Sequence, residues 1–346
     1  MKEIVIGNNQ TDKRLDGFLK AYLPNASMGF IYKMLRKKNI TLNGKKASGT
    51  EKLSVDDKIC IFFADETLEK FRGIGSDKDA GNSDSGSNIS KPGYKRMSID
   101  KASADSYNRI GRLNIIYENK HVLFVDKPAG LLSQKSKDTD DSLNNWLIGY
   151  MLEMGDITPE ELETYKPSIC NRLDRNTSGL VICAKSLLGA RTMNKMLKDR
   201  TLDKYYRTIV TGNLKDSSKL KGFLYKDENK NKVYIKDSDP GDDRYSYIET
   251  EYKPVKYYEE LDMTLLEVKL ITGKPHQIRA HLQSIGHPII GDTKYGGRPV
   301  KGLKYQLLHS YRLVMPANMN DELSDIAGKE FIAELPDTFG RIIGKG

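Results

Sequence analysis

The sequence predicts an α+β protein with two structured parts, because strand-like and helix-like segments alternate without the regular rhythm of a parallel sheet. A chain of 346 residues is long enough for two or three domains. Residues 73–108 are rich in Gly, Ser, Asp and Asn, and such a segment cannot bury enough surface to offset its ordering entropy. We therefore predict domains over 1–70 and 111–343, joined by a flexible linker over 71–110.

The N-terminal part is predicted to contain two helices and a hairpin. Apolar residues recur at helical spacing over 12–23 and again over 27–38, where Ser27 is suited to cap the helix. Residues 40–45 have the pattern of a strand that enters an Asn-Gly turn, and 56–63 have the pattern of the strand that closes the sheet.

Basic residues are concentrated at the end of the second helix and in the following turn: Lys33, Arg36, Lys37, Lys38, Lys45 and Lys46. They could form an ordinary solvated helix end, where cations favour the helix dipole. The order of two helices and a hairpin, however, resembles the S-four type of RNA-binding domain. The resemblance implies that the second helix and the turn face RNA, with Lys33, Arg36, Lys37, Lys38 and Lys45 as contacts.

The second part is predicted to contain a large, mixed, mostly antiparallel sheet flanked by helices and loops. Strand patterns occupy 115–117, 122–125, 180–184, 205–211 and 264–271, and helix patterns occupy 143–154, 187–198 and 275–285. Ser142 is suited to cap the first of these helices, and Pro275 and Gly286 are suited to begin and end the last.

Composition favours a partner that carries phosphate. The net charge is +9 and the isoelectric point is about 9.1. The N-terminus is too short in apolar residues for a signal peptide, and no segment approaches the length of a membrane span. Three distant cysteines fit a reducing compartment, and neither they nor the five histidines have metal-ligand spacing. We expect a cytoplasmic monomer without a metal site.

Residues 171–180, NRLDRNTSGL, contain the most informative carboxylate of the chain. Asp174 lies between Arg172 and Arg175, and a run of turn formers follows it before the strand at 180–184. An ionised carboxylate on such a loop can face a polyanion. It can equally satisfy its own loop and pair with an arginine.

This segment and several others, in order, resemble the RluA family of RNA pseudouridine synthases. Residues 171–179 resemble its His-Arg-Leu-Asp-x-x-Thr-Ser-Gly signature. The further matching segments are 125–130 (VDKPAG), 204–206 (KYY), 274–279 (KPHQIR), 291–296 (GDTKYG) and 308–309 (LH). The resemblance covers roughly 112–340. Asn171 replaces the family's usual His, and Lys274-Pro275 replaces its usual Arg-Thr.

The resemblance implies isomerisation of uridine to pseudouridine, most specifically in bacterial large-subunit (23S) ribosomal RNA. This reaction involves no net oxidation or reduction, so the resemblance implies no metal, nucleotide or redox cofactor. The resemblance further implies Asp174 as the nucleophile or general base and Arg279 as its ion-pair partner. It implies that Tyr206 stacks on the uracil or acts as, or near, the general base at C5 of the uracil. Tyr206 could instead line the core, and Arg279 could lie on a helix surface.

The resemblance also implies RNA contacts around the site. Arg172 would fill the space left by a flipped base, with Arg175 beside it. Lys127 would contact a backbone phosphate or remain an exposed turn lysine, and His276 would touch RNA or serve the structure. The two departures from the family pattern leave one alternative open, a non-catalytic RNA-binding or ribosome-assembly factor with the same fold.

Overall fold

The computed structural model of the protein describes residues 1–73, 92–319 and 321–344. In these ranges the strands form two sheets, one in each part of the chain. Within the same ranges, no helix combines the length and the apolar character that crossing a bilayer requires.

The N-terminal part is a three-stranded antiparallel sheet, in the order β1-β3-β2, packed against helices. Its elements are β1 (Lys2–Val5), α1 (Leu15–Tyr22), α2 (Met28–Arg36), β2 (Ile40–Leu42), β3 (Lys58–Ile61) and α3 (Asp65–Arg72). The Ser27 hydroxyl caps α2 by accepting from the backbone N–H of Phe30 at 3.2 Å. Asn43 and Gly44 both take left-handed conformations, as the turn requires. This part has a buried apolar core of its own, separate from those of the larger sheet.

The second part is built on a sheet that has the strand order β10-β9-β11-β12-β8-β13-β7-β5-β4 along its main path. Its elements are α4 (Pro92–Ile110), β4 (Asn114–Glu118), β5 (Val122–Lys127), α5 (Leu143–Glu153), β6 (Ser168–Ile169), β7 (Ser178–Ala184), α6 (Leu187–Asp199), β8 (Asp203–Thr211), β9 (Ser218–Asp227), β10 (Lys232–Lys236), β11 (Ser246–Tyr258), β12 (Met263–Leu270), α7 (Gln277–Ser284), β13 (Leu308–Val314), β14 (Glu330–Ile332) and α8 (Asp337–Ile342). β6 and β14 pair beside the path with β7 and β13. The prediction of a large, mixed, mostly antiparallel sheet is confirmed.

The centre of the sheet is a parallel pairing of β7 with β13, where Ser178 lies opposite His309 and Gly179 opposite Ser310. Gly179 has φ +108, and a Cβ at this position would lie 2.1 Å from the carbonyl oxygen of Ser310. Only glycine therefore allows the two strands to approach this closely. The contact fixes the start of β7, and with it the loop that carries Asp174.

Helix α4 packs against α5, which differs from the prediction of a flexible linker over 71–110. Ser103 and Ser106 are fully buried, and a Cβ on Gly149 of α5 would lie 2.4 Å from the carbonyl oxygen of Ser103. The linker prediction is therefore wrong for the end of α4, because small side chains there permit close backbone packing instead of preventing burial. Residues 74–91 of that predicted linker lie outside the described residues.

Lys127 joins the turn after β5 to the loop before β7. Its side chain is completely buried, and its Nζ donates to the carbonyl oxygens of Pro128 (3.0 Å), Leu131 (2.8 Å) and Arg175 (3.1 Å). Burial lowers the pKa of Lys127 to about 7, against the opposing attraction of Asp174 and Asp126. The predicted phosphate contact or exposed turn lysine is thus wrong, since the amine is inside the protein and holds the loops.

The N-terminal part is bonded to the segment that follows α5. One guanidinium nitrogen of Arg72 donates to both carboxylate oxygens of Glu163, at 2.7 and 2.9 Å. The Gln10 amide donates to the Thr164 hydroxyl at 2.6 Å, and the Asn9 amide donates to a backbone carbonyl at 2.9 Å. The Arg72 and Glu163 side chains are only 18% and 15% exposed, so the contact is largely shielded from water.

We predict that Arg72→Met lowers the free energy of unfolding by roughly 1–3 kcal/mol, because Glu163 then loses charge-assisted hydrogen bonds in a shielded place. Urea unfolding of Arg72→Met, Glu163→Gln and the double variant should give a coupling energy of about 1 kcal/mol. Lys70→Met, an exposed position on the same helix, is the control and should change stability by less than about 0.5 kcal/mol. Strictly additive effects would contradict the docked arrangement.

We also predict that Lys127→Met lowers the free energy of unfolding by roughly 3 kcal/mol, because three carbonyls lose their donor. The pKa of this amine falls on folding from 10.5 to about 7, so between these values the unfolded chain binds more protons. The lysine's contribution to stability therefore grows as the pH rises through this window.

Urea unfolding at pH 7 and pH 9 checks both statements about Lys127. The gap in stability between wild type and variant should widen at pH 9. Lys120→Met, an exposed lysine just before β5, is the control and should show neither effect. A gap that narrows as the pH rises would contradict the assigned direction of the pKa change.

Candidate active site

A cavity of about 710 Å³ opens beside the centre of the large sheet. Its walls come from the loop before β7, the middle of β8, the segment between β12 and α7, and the loop that follows β5. Asp174, Tyr206 and Arg279 all line it. The three residues predicted for catalysis, which are far apart in sequence, therefore share one cavity.

Asp174 lies on the loop that enters β7, and its side chain is 25% exposed. One carboxylate oxygen, Oδ2, accepts a hydrogen bond from Nη1 of Arg279 at 2.9 Å. The backbone carbonyl of Asp174 accepts from the N–H of Thr177 at 3.0 Å, which closes the turn. Among the described residues, the second oxygen has no hydrogen-bond donor. The carboxylate is thus held from one side and open on the other.

Arg279 is buried between two carboxylates. Its Nε and Nη2 donate to the two oxygens of Asp292 at 2.7 and 2.8 Å, while its Nη1 reaches Asp174. Burial lowers the pKa of Arg279, but Asp292 and then Asp174 outweigh it and hold the pKa above its ordinary value. The predicted ion pair is present, and the alternative of a surface arginine is wrong.

Tyr295 supports the ion pair from below. The guanidinium carbon of Arg279 lies 4.9 Å from the centre of the Tyr295 ring, a cation–π distance. The Tyr295 hydroxyl accepts from the backbone N–H of Val233 at 3.0 Å and lies 2.9 Å from Nδ1 of His276. The other ring nitrogen of His276 is 3.9 Å from Asp174. His276 therefore lies beside the carboxylate in the cavity wall, and burial lowers its pKa despite the attraction of Asp174.

The segment before α7 is ordered by Gln277. Its side-chain oxygen accepts from the Thr272 hydroxyl (2.8 Å) and the Lys274 backbone N–H (3.1 Å), and its amide donates to the Glu249 carbonyl (3.0 Å). His276 takes a left-handed conformation with φ +55. The helix consequently begins at Gln277, two residues later than the sequence pattern predicted.

Tyr206 is 5% exposed and projects from β8 into the cavity wall. Burial raises the pKa of its hydroxyl to about 12; the nearby Asp174 charge acts in the same direction, and the Ser310 hydroxyl acts against it. The phenol therefore stays protonated at neutral pH. Its position combines the two readings made from the sequence, because the ring belongs to the core and also borders the site.

Cations dominate the lining of the cavity. The basic side chains there are Lys135, Arg172, Arg175, Arg200, Lys204, Lys226, Lys274 and Arg279. Among the described residues that line the cavity, Asp174 is the single carboxylate. The basic side chains attract a polyanion into the cavity, where Asp174 is the one negatively charged side chain among these lining residues.

Besides His276, which lines the cavity, the predicted RNA-contacting residues fall into three groups. Arg172 and Arg175 are exposed at the cavity edge, with weak contacts to Gln134 (3.5 Å) and to the carbonyl of Gly130 (3.3 Å). Lys127 is buried beneath them. The N-terminal set is exposed, and its members have no hydrogen bond or ion pair from their side chains to the described residues: Lys33, Arg36, Lys37, Lys38 and Lys45.

Both departures from the family pattern lie outside the ion pair. The Asn171 side-chain oxygen accepts from the backbone N–H of Ile182 at 2.7 Å, which ties the loop to β7. Lys274 and Pro275 are exposed on the cavity wall. Asn171 thus has a structural role that an amide fulfils, and the change at 274–275 alters the surface that meets a ligand.

Sequence reasoning gave no role to Asp292 and Tyr295, although it quoted the Gly-Asp segment that contains them. The signal available was a short segment, bounded by Gly291 and Gly296, that places an aspartate and a tyrosine after a helix with a functional arginine. Gly291 has φ +75, and a Cβ there would lie 2.4 Å from the carbonyl oxygen of Tyr305, so the segment is held tightly. Over 1–73, 92–319 and 321–344, no group of three or more His, Cys, Asp or Glu side chains is arranged to hold a metal ion.

Comparison with known proteins agrees with this geometry. The family model described as RNA pseudouridylate synthase matches residues 121–284. Ribosomal large subunit pseudouridine synthase D of Borreliella burgdorferi is 33% identical over 228 residues, which are 65% of this chain and 66% of that protein. Ribosomal large subunit pseudouridine synthase C of Rickettsia bellii is 28% identical, over 98% of this chain and 100% of that protein.

A solved structure of human RNA pseudouridylate synthase domain containing 4 shares the fold, with a TM-score of 0.54 and 19% identity over 71% of this chain and 96% of that chain. The family match covers the loop of Asp174, the strand of Tyr206 and the helix of Arg279. The chain belongs to the RluA-type RNA pseudouridine synthases and is an isomerase.

Proposed function

We propose that this enzyme isomerises specific uridines of large-subunit ribosomal RNA in the cytoplasm, and that Asp174 is the group that acts on the flipped-out uridine. The observation that carries the proposal is a partly exposed carboxylate, with one oxygen bonded to Arg279, in a cavity whose other charged lining residues are basic. The phosphates of an RNA strand are attracted to such a lining, and the uncharged base can approach Asp174.

The buried ion pair suits the carboxylate to this role. Arg279 is fixed by Asp292, so its Nη1 presents a hydrogen bond in one direction. That bond orients Asp174 and leaves one oxygen toward the cavity. A preoriented carboxylate needs no rearrangement when the substrate arrives.

The isomerisation breaks the bond from N1 of uracil to C1′ of the ribose and forms a bond from C5 to C1′. The proton on C5 leaves, and N1 gains a proton, so atoms and electrons balance without a cofactor. Asp174 can attack the ribose, add to the uracil, or remove a proton from the ribose, and its position is compatible with each. Tyr206, protonated at neutral pH, would stack on the base or lie beside C5.

The target base must leave its stack, at a cost of about a few kcal/mol. Arg172 is exposed, two residues from Asp174, and its one contact in the described chain is long, at 3.5 Å. It is therefore free to stack or to bind phosphate where the base departed. Arg175 on the other side of Asp174 and His276 beside it in the cavity wall complete the proposed RNA surface.

The choice of ribosomal RNA rests on the relatives and on the N-terminal part. Several relatives carry the name of large-subunit synthases. The exposed cations on and after α2 have no protein partner among the described residues, so they are available to phosphates. We propose that residues 1–70 act as an S-four-like RNA-binding domain for the catalytic domain.

We predict that Asp174→Asn reduces pseudouridine formation by roughly 10³-fold or more, because the amide keeps the size and removes the charge. Unmodified ribosomal RNA transcript is incubated with the purified protein, and pseudouridine is read by chemical mapping. RNA binding by the variant should be retained. Asp138→Asn, an exposed carboxylate on a neighbouring loop, is the control and should keep full activity. Activity that survives in Asp174→Asn would refute the assigned role.

We further predict that Lys33→Gln with Lys37→Gln flattens the salt dependence of RNA binding. Each phosphate contact removed should reduce the slope of log K against log salt by roughly 0.7–0.9. Binding is measured by fluorescence anisotropy over a salt series. The control is Lys2→Gln with Lys70→Gln, the same charge change at exposed positions of the same part. Equal slopes for the two double variants would mean that the α2 cluster is only a solvated surface.

A further inference from the structure

A second cavity, of about 650 Å³, lies on the opposite side of the loop that carries Asp174. Asp174 and Thr177 border the active-site cavity, whereas Asn176 and Ser178 border the second one. Leu308 of β13 borders both. The loop is therefore a partition between two neighbouring cavities.

The walls of the second cavity combine apolar and amide groups. Leu113 and Leu303 are partly exposed and provide apolar surface. Gln306 uses its amide nitrogen on Thr177 at 3.3 Å, while the Asn176 side chain has no hydrogen bond to the described residues. An apolar wall beside a free amide suits a nucleobase, which has a flat face and a polar edge.

The edge of the same cavity carries cations. Arg112, Lys304 and Arg341 are exposed there, and the first two make no hydrogen bond or ion pair with the described residues. Two carboxyls, Asp126 and Glu334, also line it. The three cations therefore outnumber the two carboxyls.

We infer that the second cavity binds a nucleotide next to the target uridine in the same RNA strand. The inference rests on the proposed function, because a uridine at Asp174 fixes where the strand runs. The Cα atom of Asn176 lies within ~7.6 Å of that of Asp174, since consecutive Cα atoms are about 3.8 Å apart. A strand that delivers its uridine to Asp174 and crosses exposed Arg175 meets this cavity next.

The neighbouring base lies against the apolar wall of Leu113 and Leu303, and the Asn176 amide meets its edge. Arg112 and Lys304 meet its phosphate. This cavity thereby gives the enzyme a sequence preference beside the modified uridine, in addition to the shape of the RNA.

The experiment uses an RNA hairpin around a mapped target uridine, with one abasic position placed in turn within three nucleotides on either side. Binding and pseudouridine formation are both measured for wild type, Asn176→Ala and Lys304→Ala. We expect one abasic position to weaken wild-type binding by ~5-fold or more. The same position should have little further effect in Asn176→Ala, because the contact is already lost.

Lys301→Ala is the matched control, since Lys301 is exposed on the same loop and does not line the cavity. It should respond to the abasic series as wild type does. Additive effects at every position, with wild type active, would overturn the inference and leave the proposed function intact. Coupling in binding without any pseudouridine would mean that the cavity contacts RNA that the enzyme does not modify, which would overturn both the proposed function and the assignment of the bound nucleotide as the neighbour of a target uridine.

Discussion

The site depends on one buried arginine that is shared by two carboxylates. Asp292 occupies two nitrogens of Arg279 and leaves the third for Asp174. The trio carries a net negative charge in a shielded place, which is tolerable because each contact is a charge-assisted hydrogen bond and the Tyr295 ring lies beneath the guanidinium. Without Asp292, Arg279 would lose the two hydrogen bonds that orient its Nη1 toward Asp174 in the loop before β7.

The sheet converts distant segments into this arrangement. The parallel contact of β7 with β13 is possible because Gly179 lacks a side chain. Because β13 also pairs with β8, the contact holds the start of β7 one strand away from β8. Lys127 fixes the loop before β7 from inside the protein, because its Nζ donates both to the carbonyl of Pro128, just after β5, and to the carbonyl of Arg175 in that loop. Backbone contacts therefore position Asp174, and its side chain remains available.

The sequence predicted much of this because strong local signals agreed with the final structure. Ser27 caps α2 as its position before an apolar period indicated, and Asp174 and Arg279 meet as the ordered motifs implied. Lys127 was misjudged because Lys-Pro beside glycine has the local pattern of an exposed turn, and burial is decided by strands elsewhere. The end of α4 was misjudged because a composition poor in aliphatic residues hides close backbone packing on Gly149. The pairing of Arg279 with Asp292 depends on a fold that no local pattern encodes.

In the proposed function both parts of the chain bind RNA, and the bonds between Arg72 and Glu163 and between Gln10 and Thr164 would then hold the two RNA-binding surfaces in a fixed relation. Two binding domains joined by a flexible linker lose orientational freedom each time both bind the same ligand. Here that loss occurs once, when the chain folds. Under the proposed function, an RNA that contacts both surfaces would gain avidity, whereas an RNA with the right uridine but the wrong overall shape would not.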